Sequence, residues 1–453
     1  MSAALTMIRV IWKRTKLERS CRWPRTRLNA HQASRIAELR RFSLERSPFY
    51  RRFHKGLENR PFEELPILTK ATMMESFDDL ITDRTIHLAD VEEWFKAGPG
   101  TNLFRGRYVV LSTSGSTGRR GVFLFNDKEW IAVLANIIRP MIWAGVNRSF
   151  RKPLRTAVIA SQTPWHYSAR VGASLSSALL PALYLDAGDR VENIVRRLNE
   201  WQPEVMGAYP SVLRQLTEEQ LEGRLRIRPQ TISSAAEVLT PEIRRRVQQA
   251  WNTRVYDTYG TTEYSPIAAE CPFGRKHLIE DGAVIEIVDE DGRPTPPGER
   301  GDRVLVSVFD RWTQPLIRYE ISDVLRPLAE ECECGRPFRL VDSIEGRRED
   351  TLTFPARSVG AEFVSLHPKL FYEVLEIVPA AGWQVVQDDG RVTVNLLGLK
   401  DSSICISIRD QLWELFGRQG AEVAAIDVRE VQALVRGATG KAPLVMSRSS
   451  KTQ

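Results

Sequence analysis

The chain has 453 residues, 42% of them hydrophobic and 27% charged, with a formal net charge of +7 and five cysteines. That length exceeds what one core usually organises and predicts more than one domain; the composition is that of a globular protein, and no stretch approaches the ~20 apolar residues of a membrane span. An odd cysteine count excludes a fully paired disulfide framework, and Arg9, Lys13, Arg14 and Lys16 interrupt any apolar signal sequence, so a cytoplasmic location is expected.

Residues 1–60 hold 16 Lys/Arg against four Asp/Glu, a charge of +12 that leaves −5 for the remainder. Ile36, Leu39, Leu44, Phe49, Tyr50 and Phe53 give this segment side chains to bury, which predicts a packed helix with a solvated basic face and neither a nucleic-acid nor a membrane partner. Tyr108, Val109 and Val110 read as a strand running into Leu111-Ser112-Thr113-Ser114-Gly115-Ser116-Thr117-Gly118-Arg119-Arg120-Gly121. From 155 to 260 short apolar runs alternate with amphipathic stretches, the pattern of a parallel sheet covered by helices. Strands are predicted at 155–161, 205–209, 231–235 and 255–258, and helices at 191–201 and 210–222. Another helix starts at Pro241, with Thr240 as its N-cap and Ile243, Val247 and Trp251 along one face.

From 282 the period changes: 283–288 and 303–308 flank a Gly/Pro-rich connection, which predicts an antiparallel hairpin within a β subdomain at about 265–345. Strands at 383–386 and 392–396 around Asp389-Gly390, a helix around Leu412 and Leu415, and a strand at 428–434 predict a small α+β domain, with a polar tail after Val445. The expected fold is therefore α/β, with a large domain over 1–345 and a small α+β domain over 346–453.

In Thr113, Ser114, Gly115, Ser116, Thr117 and Gly118, small residues let backbone N–H groups close around phosphate oxygens, hydroxyls add donors, and the following arginines add charge. A phosphate cradle is predicted. It is not a Walker loop, whose G-x-x-x-x-G-K-[ST] order is absent, and the alternative is a flexible linker. A second motif, Tyr256-Asp257-Thr258-Tyr259-Gly260-Thr261-Thr262-Glu263, ends a strand, where an open α/β sheet places ligands. Tyr259 offers a ring to a purine, Gly260 close backbone approach, Thr261 and Thr262 hydroxyls, and Glu263 a carboxylate for phosphate-bound Mg2+. Cys271, His277, Cys332 and Cys334 offer three thiols and one imidazole, a closed tetrahedral set that suits structural Zn2+. Free buried thiols are the alternative, and Cys21 and Cys405 read as ordinary thiols.

These two motifs, followed in order by Ile317-Arg318-Tyr319-Glu320-Ile321-Ser322-Asp323 and Gly346-Arg347-Arg348-Glu349-Asp350, resemble those of the adenylate-forming superfamily of acyl-CoA synthetases, adenylation domains and luciferases. Ser47-Pro48-Phe49-Tyr50, Leu65-Pro66-Ile67-Leu68-Thr69-Lys70, Glu270-Cys271 and Cys332-Glu333-Cys334-Gly335 resemble its phenylacetate-CoA ligase branch, over about residues 30–445. The resemblance implies ATP-dependent conversion of a carboxylic acid, aryl or arylacetic, to an acyl-adenylate, followed by transfer to CoA. Transfer to an amine, hydroxyl or carrier thiol is one alternative, and a non-catalytic nucleotide-binding scaffold is another. It further implies that residues 113–118 wrap the ATP phosphates, Tyr259 stacks on adenine, Thr262 meets the reacting phosphate and Glu263 holds Mg2+. Asp323 would accept both ribose hydroxyls, with Arg347 as a second ribose contact. Ser234, Ala235 and Glu237 would line the adenine and acyl pocket, and His166 the acyl site. Gly440-Lys441 resembles the segment whose lysine meets the carboxylate and α-phosphate as charge builds in an in-line displacement.

A mobile small domain, hinged at Glu349, is implied in the same way, and a homodimer is compatible with it. Two stretches depart from the relatives. Arg119-Arg120-Gly121 replaces the usual lysine- or proline-bearing end of the phosphate loop, and residues 351–358 replace a glycine-rich turn that guides the second half-reaction. Adenylation is therefore better supported than thioester formation.

Overall fold

The computed structural model describes residues 3–98, 100–113, 120–146, 154–175, 181–342, 344, 346, 350–357, 362–388, 390–399, 401–437 and 441–448. Its chain enters through three helices, Ala3–Ser20, Arg25–Arg46 and Pro48–Phe53, where the sequence predicts one. Pro24 and Pro48 explain the breaks, since neither supplies the N–H donor that a continuous helix needs. Leu28, Ile36, Leu39, Phe49 and Tyr50 are buried. The basic face is not simply solvated: Arg9 pairs with Asp127, Lys13 and Arg35 with Asp310, and Arg25 with Glu280. The positive excess of this segment thus ties it to the acidic remainder.

Nine strands form the central sheet, in the order Pro327–Leu328, Leu340–Val341, Lys276–Leu278, Ala268–Glu270, Val255–Tyr259, Thr231–Ala235, Val205–Ala208, Thr156–Ala160 and Ala182–Asp186. Neighbours among the last five run parallel, and the other four are added antiparallel. The predicted helices Val191–Trp201, Pro210–Leu221 and Pro241–Trp251 supply the crossovers; proline opens two of them, and the Thr240 hydroxyl accepts from the Ile243 N–H at 3.3 Å. Ala157, Ile159, Leu198, Leu213 and Ile243 share the core beneath them. Much of the 265–345 range, expected to form a β subdomain, extends this large sheet. What stands apart is a three-stranded antiparallel sheet of Ala283–Val288, Arg303–Val308 and Tyr319–Ile321.

The chain passes from Thr156–Ala160 to Ala182–Asp186 on one side, then to Val205–Ala208 on the other. Strand order reverses there, and such a reversal opens a crevice at the carboxyl ends of the strands. Helix Asp127–Trp143 lies over the opposite face from the crossovers. Its start is fixed by Asn126, which accepts from the Glu129 N–H at 3.1 Å, while Glu129 takes the N–H groups of Asn126 (2.7 Å), Trp312 (2.7 Å) and Thr313 (2.6 Å). The hairpin Val109–Ser112 with Val122–Phe125 brackets the Ser/Thr/Gly loop.

From Leu352 to Val445 a separate core gathers around Trp383, Phe354, Phe371 and Phe416. Its sheet runs Ala425–Val431, Arg391–Leu397, Gly382–Asp388, Val445–Ser447, with both outer strands parallel to their neighbours. The strand predicted at 428–434 lies three residues earlier, and the tail predicted to be merely polar begins as a strand. Among the described residues no helix is long and apolar enough to cross a membrane.

Candidate functional site

A cavity of about 640 Å³ opens at the crevice. Its floor is made by the ends of four adjacent parallel strands: Ala160 and Ser161, Ala208 and Tyr209, Ser234 and Ala235, then Thr258 and Gly260. Thr113 reaches it from the hairpin, Thr261, Thr262 and Glu263 from the turn after Tyr259, Asp323 from beyond strand Tyr319–Ile321, and Lys441 from the C-terminal segment. His166 borders it too. Of the predicted phosphate cradle, Ser114, Gly115, Ser116, Thr117 and Gly118 lie outside the described residues, as do Arg347, Glu349 and Gly440. The base of that loop is pinched shut: the Thr113 N–H donates to the Gly121 carbonyl at 3.0 Å, and the Gly121 N–H returns to the Thr113 hydroxyl at 2.9 Å. Arg120, expected to add charge for phosphate, instead lies 4.3 Å from the Phe95 ring centroid and donates to Ser112.

Two residues take places other than those the sequence implies. Tyr259 is not on the lining. Its ring is buried in the core that also holds Leu278, Ile317 and Tyr319, and its hydroxyl donates to Asp323 at 2.7 Å. The phenol thereby orients the carboxylate rather than presenting a face to the cavity. Glu237 also turns away, accepting from the Ser211 N–H (2.9 Å), the Ser211 hydroxyl (3.1 Å) and the Ala442 N–H (3.0 Å). Burial raises its pKa, against the pull of those donors and of Lys441. Glu237 therefore fixes the backbone of Ala442, the neighbour of Lys441.

Glu263 keeps its place at the cavity and accepts from the Tyr319 hydroxyl at 3.2 Å. Across the floor, Ser161 Oγ lies 2.7 Å from His166 Nδ1, and the Thr163 N–H donates to the same oxygen at 3.4 Å. When Ser161 donates its proton to Nδ1, the proton of the neutral ring sits on Nε2. Burial, then Lys441 and Arg120, push the His166 pKa down to about 4, so the ring is neutral at pH 7. Lys441 Nζ stands 6.0 Å from the Tyr209 ring centroid, and the Tyr209 hydroxyl accepts from the Ser161 N–H at 3.0 Å. Ser161 and Tyr209, together with Lys70 and Glu320, line the cavity without having been singled out. The available signal was position, because Ser161 and Tyr209 each follow the last residue of a parallel strand.

Some distance along the sheet, the ligand atoms of Cys271, His277, Cys332 and Cys334 all lie within 4.8 Å of one another. The Cys271 and Cys332 sulfurs are 3.6 Å apart, far beyond the ~2.05 Å of a disulfide and close to the ~3.8 Å between two sulfurs each ~2.3 Å from a tetrahedral zinc. His277 Nδ1 donates to the Phe338 carbonyl at 3.1 Å, which leaves Nε2, 3.2 Å from the Cys334 sulfur, free of its proton and aimed inward.

Residues 106–306 match the AMP-binding enzyme family. The chain is 27% identical over 375 residues to the phenylacetate-coenzyme A ligase of Thermus thermophilus, a match covering 79% of this chain and 77% of that one. A solved structure of 2-hydroxyisobutyryl-CoA ligase in the postadenylation state with R3-HIB-AMP superposes with a TM-score of 0.73 at 20% identity, over 95% of this chain and 91% of that one. The same ligase with 2-HIB-AMP and CoA in the thioesterification state superposes with a TM-score of 0.59 at 19% identity, over 95% and 92%.

Proposed function

We propose that the chain is a member of the adenylate-forming superfamily, on its phenylacetate-CoA ligase-like branch, and that it converts a carboxylic acid and ATP to an acyl-adenylate and pyrophosphate, then passes the acyl group to CoA; the AMP-binding match over residues 106–306 and the similarity to phenylacetate-coenzyme A ligases support this reading. One observation carries this reading. Thr113, Thr261, Thr262, Glu263, Asp323 and Lys441, spread over more than three hundred residues, line a single cavity at the carboxyl ends of parallel strands. Asp323, held by Tyr259, accepts the two ribose hydroxyls. Thr113 faces the phosphates. The carboxylate oxygen attacks the α-phosphorus, the bond from that phosphorus to the bridging oxygen breaks, and pyrophosphate leaves. Lys441 neutralises the charge that gathers between acid and α-phosphate, and the neutral His166 donates from Nε2 to the acid.

Magnesium suits Glu263, a hard oxygen ligand beside the Thr262 hydroxyl at the same cavity; when bound, it spreads the phosphate charge. Zinc suits the Cys271, His277, Cys332 and Cys334 set in a structural role, because four protein ligands leave no open position. The placement of Lys441 at the cavity, and the higher TM-score with the postadenylation state, support a pose in which the C-terminal lobe, residues 346–453, serves the first half-reaction. A cytoplasmic location accords with use of ATP and CoA.

The test is acid-dependent ATP–pyrophosphate exchange over a panel of acids without CoA, then thioester formation with CoA added. Exchange that needs both acid and Mg-ATP, and product that needs CoA, are expected. Absence of exchange with every acid in a protein that is folded would sink the proposal. AMP release that rises with an amine but ignores CoA would move the second step to amide formation.

A further inference from the structure

The cavity does not end at His166. From Ala160 it follows the strand backwards: Val158 and Thr156 line it, and so do Tyr184 and Ala182, their register partners on the edge strand. These residues alternate along their strands and so share one face of the sheet, opposite the Ala157 and Ile159 core. The other wall is helical, with Ile138 and Met141 from Asp127–Trp143 and Val171 and Leu175 from Tyr167–Leu175. Val158, in the middle of the strand next to the sheet edge, is only half-buried and faces the cavity.

The charged lining residues Lys70, Glu263, Glu320, Asp323 and Lys441 all belong to other segments, around the mouth. Along the channel the Thr156 hydroxyl is turned to the Leu154 carbonyl at 3.5 Å, and the Tyr167 hydroxyl to the Ser265 carbonyl at 3.4 Å. Gly172 allows the Tyr184 ring to lie against its helix, since a Cβ there would come 2.8 Å from the ring.

From Ala160 back to Thr156 is four residue steps, a depth of about 13 Å at ~3.3 Å per residue. An alkyl chain advances about 1.2–1.3 Å per carbon for C–C bonds of ~1.5 Å, so about ten carbons span that depth. A ring on one methylene does not. Resting on the adenylation reading, we propose that the preferred acid carries an extended apolar chain of about eight to twelve carbons.

The experiment is ATP–pyrophosphate exchange with straight-chain acids from hexanoate to tetradecanoate, beside benzoate and phenylacetate. kcat/KM should rise about fourfold per methylene until the channel is full, and exceed that of phenylacetate at least tenfold at its peak. Ala182→Phe, which fills the far end, should cost decanoate at least tenfold and leave hexanoate within about threefold. Phenylacetate or benzoate as the best substrate, with exchange falling from hexanoate to dodecanoate, overturns the inference and leaves adenylation standing. Exchange with none of the acids overturns the adenylation reading and this inference with it. Should Ala182→Phe fail to fold, the wild-type chain-length profile decides alone.

Discussion

Replacing Glu376 with alanine should slow adenylation without touching the cavity. Its carboxylate accepts from the Thr240 hydroxyl of the large lobe at 2.7 Å and from the Trp383 indole of its own lobe at 3.0 Å, and it faces Arg214 at 3.6 Å. The side chains of Arg214 and Glu376 are 3% and 9% exposed, and Arg214 also donates to the Ala380 carbonyl at 3.0 Å. Glu376→Ala leaves that guanidinium buried with only a carbonyl to receive it, and breaking a buried pair from one side costs about 3–5 kcal/mol. The small lobe can relieve this by moving off and letting water reach Arg214, so the loss falls on docking, and docking is what brings Lys441 to the cavity. At about 1.4 kcal/mol per factor of ten, a docking loss of ~3 kcal/mol lowers exchange by up to about a hundredfold. Thr240→Val removes the bond to Glu376 from the other side, about 1 kcal/mol of docking or a several-fold effect, and also the helix cap on the Ile243 N–H, which lowers the stability of the large lobe. Exchange kinetics, nucleotide calorimetry and small-angle scattering read the outcome: slower exchange, unchanged Mg-ATP affinity, a larger radius of gyration, and undiminished transfer from a synthetic acyl-adenylate to CoA. Exchange at the wild-type rate in both variants, with no change in scattering, would refute the reasoning.

Lys441→Ala should reduce acid-dependent exchange about 10²–10³-fold, as loss of one donor at developing charge does elsewhere, with Mg-ATP binding retained in calorimetry. Asp323→Asn keeps the shape but loses a charged acceptor and should weaken ATP binding about ten- to hundredfold. Metal analysis should find one zinc per chain, and Cys332→Ser or a strong chelator should remove it and lower Tm by several degrees; full stability without metal would count against the site. His54 is 2% exposed, and burial, then Arg40, push its pKa down from 6.5 to about 4. The unfolded chain therefore takes up this proton first, so the contribution of His54 is intact above pH 6.5 and is lost as pH falls from 6.5 towards 4. Denaturant titrations at pH 7 and pH 5 should show that loss, and His54→Gln should flatten it.

Helices Val191–Trp201, Pro210–Leu221 and Pro241–Trp251 were legible in the sequence because local signals agree: an apolar period in each, an opening proline in the second and third, and a capping threonine in the third. The hairpin of Ala283–Val288 with Arg303–Val308 was legible for the same reason. The terminal strand Val445–Ser447 was not, because three residues carry no period and only the partner at Gly382–Asp388 makes them a strand. The site divides along the same line. Thr262, Glu263, Asp323 and Lys441 sit in motifs that bring their chemistry with them. Tyr259 and Glu237 have the right residue types for nucleotide contact, but the surrounding core in one case and the Ser211 donors in the other decide where they point. No local pattern encodes that choice.

Lys441 stands at one end of a short span between two fixed piers. On one side the Gly437 N–H grips its carbonyl at 2.9 Å and Glu237 grips the Ala442 N–H at 3.0 Å; on the other, Val445 is locked in register with Val385. One residue added or removed between them would shift the amine by about 3.3 Å, further than any hydrogen bond stretches. The stretch works as a ruler: Pro443 and Leu444 could vary in kind across relatives of this protein, whereas their number could not.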